Sequence, residues 1–131
     1  MKMIKFKQNK LCRDKIIDQL EKTGSIIHWK QLDDVEFGTQ LKIKFMEEAK
    51  EVFNASTKAT LIEELADILE VISALGNLYA FTLDDIITAQ HKKHDERGGF
   101  NERKFVTIAE HAQGSFGEKY CLNDPEKYPE V

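Results

Sequence analysis

Proline is nearly missing from this chain, with two in 131 residues, both within the last seven. Ahead of Pro125 the sequence therefore lacks the residue that fixes φ and removes an amide donor, and seven glycines add few further breaks. Most of the chain is open to helix. Cysteine is confined to Cys12 and Cys121, far apart and without metal-type spacing. That excludes a disulfide framework and points to reduced thiols in the cytoplasm. No apolar run reaches the roughly 18 residues that a membrane span needs. The basic start, Met1 to Lys7, lacks the apolar stretch of a secretion signal. An excess of one charge is missing too: 19 basic against 23 acidic residues give a net charge of −4. With no basic field, a nucleic-acid polymer is not an expected partner, and neither is a membrane.

What is present fits one soluble domain over residues 1–131, with 41% hydrophobic and 32% charged residues. A first helix is expected from about Cys12 to Lys22, stopped at Thr23-Gly24. Ser25 to Leu32 has the β-branched and aromatic character of an extended segment. Asp33, three before Glu36, has the spacing that opens a second helix, reaching about Phe53 with residues 54–57 as the loop. Thr60, three before Glu63, predicts a third helix to about Tyr79. Thr82, with Asp84 and Asp85 behind it, predicts a fourth that stops at Arg97-Gly98-Gly99. Beyond Phe100 the pattern weakens: Lys104 to Ala109 reads as a short strand, and Gly114 to Val131 as an irregular tail.

After its acidic start the third helix is apolar on most sides, with Leu61, Ile62, Leu65, Ile68, Leu69, Val71, Ile72, Leu75 and Leu78. A helix of that kind must be covered on most sides. The expected fold is all-α, a four-helix core completed by homo-oligomerisation as a dimer or tetramer.

Two acidic clusters dominate the chemistry: Glu47-Glu48-x-x-Glu51 on the second helix and Glu63-Glu64-x-x-Asp67 on the third. Residues three apart share a helix face, where like charges repel unless a cation intervenes. Acidic residues on helices are usually solvated. Here, however, Leu41, Phe45 and Val52 place Glu48 along an apolar stripe, and Leu61 and Ile68 flank Glu64 in the same way. Consecutive helices with a short connection pack antiparallel and can bring both clusters into one cavity. Four hard oxygen ligands, Glu48, Glu51, Glu64 and Asp67, suit Mg²⁺, with Mn²⁺ as the alternative.

This double motif resembles the MazG-like all-α nucleoside triphosphate pyrophosphatases, a superfamily that includes phosphoribosyl-ATP pyrophosphohydrolase and the dimeric dUTPases. Lys10-Leu11-Cys12-Arg13-Asp14-Lys15-Ile16 is similar to the Lys-Leu-Val-Arg-Asp-Lys-Ile start of a phosphoribosyl-ATP pyrophosphohydrolase-like subgroup, with Cys12 for the usual valine and Ile17 where proline is common. Arg97-Gly98-Gly99-Phe100 is similar to that subgroup's Arg-Gly-Gly-Phe. The resemblance covers roughly residues 10–105, with the helical core at about 10–100 and a C-terminal extension at about 101–131 outside it.

The resemblance implies hydrolysis of a nucleoside triphosphate to monophosphate and pyrophosphate, with phosphoribosyl-ATP as an alternative substrate. It makes Glu47 the general base, against the plainer role of partner to Lys44 or Lys50. Lys93 and Arg97 match a Lys-x-x-x-Arg pattern that would hold phosphate, although cations there also complement the negative end of a helix. Arg13 and Lys15 are further phosphate candidates, or members of a surface ion pair with Asp14. His28, His91, His94 and His111 lack a metal-type arrangement, and the lone Trp29 suits packing better than base stacking. A non-enzymatic helical oligomer that binds a divalent cation is the rival reading. Spare carboxylates at Glu47 and Glu63 favour the enzyme.

Overall fold

Asp33 begins the main ordered element of the computed structural model, which describes residues 2–131. All regular structure among these residues is helical. The helices are α1 (Ile16–Glu21), α2 (Asp34–Asn54), α3 (Lys58–Tyr79), α4 (Leu83–Arg97) and α5 (Phe116–Leu122). The chain divides into two compact units, residues 1–93 and residues 94–131.

The Asp33 carboxylate accepts a hydrogen bond from the Glu36 amide at 2.8 Å, satisfying one of the free donors at the start of α2. At α3 the cap lies one turn earlier than the Thr60–Glu63 pair suggests. The Thr57 hydroxyl accepts from the Thr60 amide at 3.1 Å, and the Thr60 hydroxyl accepts from the Thr57 amide at 3.2 Å. Lys58, Ala59 and Thr60 thus join α3, and the connection to α2 shrinks to Ala55–Thr57. At α4, Thr82 and Asp85 form the reciprocal pair, at 2.8 and 3.2 Å. Gly98, with φ of +79°, ends that helix by donating to the His94 carbonyl at 2.7 Å.

α2 and α3 pack against each other as an antiparallel hairpin, with Gly38 near the start of α2 lying against Leu78 and Tyr79 at the end of α3. Leu41 and Val71 are its buried apolar residues, 4% and 6% exposed. α3 ends with Ala80 in the left-handed region at φ of +60°. The Phe81 amide then donates back to the Gly76 carbonyl at 3.0 Å. No other pair of helices is in packing contact among the described residues. Much of the apolar surface of α3 is therefore open in the single chain: Ile62, Leu65 and Leu69 are 57%, 45% and 51% exposed.

Three expected segments differ. α1 is shorter than the Cys12–Lys22 span, beginning only at Ile16 after a turn closed by the Ile16 amide on the Arg13 carbonyl. Residues 104–109 form no strand, since β-character without a partner strand leaves the backbone groups unpaired. The tail is not wholly irregular. Ser115 caps α5, accepting from the Glu118 amide at 3.4 Å, while the Glu118 carboxylate accepts from the Gly114 amide at 3.0 Å. The Tyr120 ring lies 6.1 Å from Phe116 and 5.7 Å from Tyr128.

Candidate metal centre and active site

Glu48 is the buried carboxylate of the hairpin, 8% exposed. Its position on the Leu41–Phe45–Val52 stripe turns it toward α3, where Glu64 and Asp67 stand three apart and half-buried. Ligand oxygens from Glu48, Glu64 and Asp67 lie within 4.8 Å of one another. Three carboxylates that close repel strongly in a partly dry setting. Partial burial raises the Glu64 carboxyl above the ordinary glutamate range, and the charges of Asp67, Glu51, Glu48 and Glu63 push it further. Glu51 is exposed and stands outside the trio, although near enough to add to that field.

Cations surround the trio. Lys44 Nζ lies 3.5 Å from Glu48 and 3.6 Å from Glu47. From the segment ahead of α1, Lys10 Nζ approaches the same Glu47 oxygen at 3.2 Å, and Arg13 Nη2 donates to Asp67 Oδ1 at 2.7 Å. Glu47 therefore stands beside the trio in contact with two ammonium groups, one of them the Lys44 partner expected of an ordinary surface glutamate. Arg13 reaches the cluster directly. Among the described residues, Lys15, at the N-cap of α1, makes no ion pair, and neither do Lys93 and Arg97, exposed on the last turns of α4. The four histidines are exposed, and none joins a metal-type group among the described residues.

A family profile described as phosphoribosyl-ATP pyrophosphohydrolase matches residues 13–94, well over half of the chain. The chain belongs to this family. It is thereby a member of the MazG-like all-α superfamily and a hydrolase of phosphoanhydride bonds. Neither a curated protein nor a solved structure matches it.

The phosphoribosyl-ATP pyrophosphohydrolase span runs from Arg13 to His94, and so contains both acidic clusters, Lys15 and Lys93. It ends one residue past the first compact unit and leaves Lys10 and Arg97 outside. The donor set fits the divalent cation that this family uses. All three ligands are hard oxygens, one is buried, and none is sulfur or imidazole, a set that suits Mg²⁺ or Mn²⁺ over softer ions. Sequence reasoning assigned no role to Lys10. Its contact with Glu47 crosses 37 positions of chain, and no local spacing signals it.

Proposed function

We propose that this family member is a Mg²⁺-dependent nucleotide pyrophosphohydrolase, with Mn²⁺ able to substitute, acting on a nucleoside triphosphate at the bond between the α and β phosphates. The observation that carries the reading is Glu48, a carboxylate buried between two helices and gathered with Glu64 and Asp67. One buried and two half-buried carboxylates this close together are costly unless cations offset their charge. Glu48, Glu64 and Asp67 would hold the divalent ion, with Glu51 reaching in from the next turn of α2. Once bound, the ion supplies positive charge against the polyphosphate oxygens.

The remaining work falls to side chains. Glu47 orients a water and takes its proton as that oxygen attacks the α-phosphorus. The bond from the α-phosphorus to the bridging oxygen breaks, and pyrophosphate leaves with that oxygen. Arg13, Lys15 and Lys93 bind the phosphates and offset their charge, arginine through paired hydrogen bonds and lysine as a point charge. The family description favours a second substrate, phosphoribosyl-ATP, in which the same type of bond is broken.

We further propose that the working form is a cytoplasmic homo-oligomer, a dimer or tetramer. Ile62, Leu65 and Leu69 on α3 are open in the single chain, at 57%, 45% and 51% exposed, and a second copy would cover them.

The test is product analysis with Mg²⁺ and a nucleotide panel in ¹⁸O-water. Monophosphate carrying the label, together with unlabelled pyrophosphate, is expected. Diphosphate plus phosphate, or label in the pyrophosphate, would contradict attack at the α position.

A further inference from the structure

Lys10 and Arg13 reach the acidic cluster from one side, flanking a half-buried Leu11. Among the described residues no hydrogen bond of the backbone anchors Lys10 to Cys12; the segment lies outside any helix and follows Asn9, whose φ is +48°. Its polar attachment is by charge: Lys10 Nζ to Glu47 at 3.2 Å and Arg13 Nη2 to Asp67 at 2.7 Å. Both cationic side chains are more than half exposed, at 56% and 55%. Contacts of that kind are weak individually and exchange readily. The two carboxylates they hold are the candidate base and one member of the metal-ligating trio.

We propose that Lys10 and Arg13 form a cationic strap on Glu47 and Asp67 that offsets part of the site's negative charge and exchanges these carboxylates for the substrate's polyphosphate when a divalent cation is bound. The inference rests on the proposed function for the identity of the site. Six carboxylates, Glu47, Glu48, Glu51, Glu63, Glu64 and Asp67, crowd this stretch of the hairpin, and among the described residues Lys44 is the one hairpin lysine in ion-pair contact with them. Lys10 and Arg13 add two further positive charges. Loading with a divalent ion lowers the negative charge that draws Lys10 and Arg13 in, and both groups are then free to meet incoming phosphate oxygens. Departure of Lys10 leaves Glu47 Oε1 in contact with Lys44 alone. A guanidinium fork that spends one Nη donor on a carboxylate becomes available for bidentate phosphate recognition.

The test uses binding and proteolysis rather than turnover. Trypsin cleaves after Lys10 and Arg13, and cleavage there in the full chain is expected to accelerate several-fold on adding Mn²⁺ alone. Inorganic pyrophosphate added to the Mn²⁺-loaded protein is expected to restore protection. By titration calorimetry, Arg13→Gln is expected to bind Mn²⁺ about three- to ten-fold more tightly and, once loaded, to bind pyrophosphate more weakly by a similar factor. Lys22→Gln, at the end of α1, controls for the change in net charge. Weaker Mn²⁺ binding by Arg13→Gln would overturn the strap and make Arg13 a residue that orients Asp67 as a ligand. Unchanged cleavage at Lys10 and Arg13 on adding Mn²⁺ would overturn it as well. If Mn²⁺ and pyrophosphate act as expected while no nucleotide is hydrolysed, the proposed function fails and the strap stands.

Discussion

Replacing Glu64 by glutamine keeps its shape and removes one charge from a crowded trio. The folded chain holds the Glu64 proton more tightly than an unfolded chain does, so this group favours folding at low pH. That contribution is lost as pH rises from the ordinary glutamate value of 4.5 through the raised folded value. Without metal at neutral pH, Glu64→Gln is therefore expected to melt at a higher temperature than the parent chain. With saturating Mg²⁺ the order is expected to reverse, because the variant loses a ligand and with it the stabilisation that binding confers. Scanning calorimetry with and without Mg²⁺ checks both halves. For the same reason metal affinity is expected to fall with decreasing pH from above the usual carboxylate range, as the proton on Glu64 competes with the ion. Glu47→Gln retains every trio member, and is expected to bind Mn²⁺ within a few-fold of the parent while kcat falls about 100-fold or more. Equal losses in both would remove Glu47 from the role of base.

At the scale of the helices, the sequence is most legible where a side chain caps its own helix. Asp33 with Glu36, Thr82 with Asp85, and Gly98 after Arg97 are local devices, and each marks a real boundary. Thr57 with Thr60 is less visible because a glutamate three residues after Thr60 forms the stronger written pattern. Ser115-x-x-Glu118 carries the full capping-box spacing and would have revealed α5 inside the tail. Lys104 to Ala109 shows the opposite failure, since β-propensity has no consequence without a strand to pair with. Thr57→Ala is expected to cost about 1 kcal/mol in denaturant unfolding through lost capping of α3. Gly76→Ala should cost more, about 1–3 kcal/mol, because a Cβ there would sit 2.6 Å from the Phe81 backbone carbonyl, which side-chain rotation cannot move. Gly38→Ala meets the movable Tyr79 side chain instead and is expected to be milder.

For the whole molecule, the apolar excess of α3 was legible, and in the single chain that surface stays open. Among the described residues, Leu41 and Val71 are the only buried hydrophobic side chains. A hairpin with so small a core is expected to sediment as a dimer or larger, and Leu69→Glu on the open side of α3 is expected to shift it toward smaller, less stable species. A parent chain that sediments as a monomer would contradict the oligomer. The acidic clusters were legible because helical spacing fixes which side chains share a face. The convergence of Glu48, Glu64 and Asp67 follows from that spacing and a short connection. What spacing left hidden was the through-space partnership of Lys10 and Arg13 with that cluster, set by where a non-helical segment lies.

The central claim is that the hairpin's converging carboxylates hold a divalent cation, and Mn²⁺ binding read by electron paramagnetic resonance tests it most directly. The account predicts saturable binding by the parent chain and a loss on the order of 100-fold or more in affinity for Asp67→Asn, beyond the effect of removing an outer partner. Equal affinity in the two proteins, or no saturable Mn²⁺ binding by the parent, would contradict it.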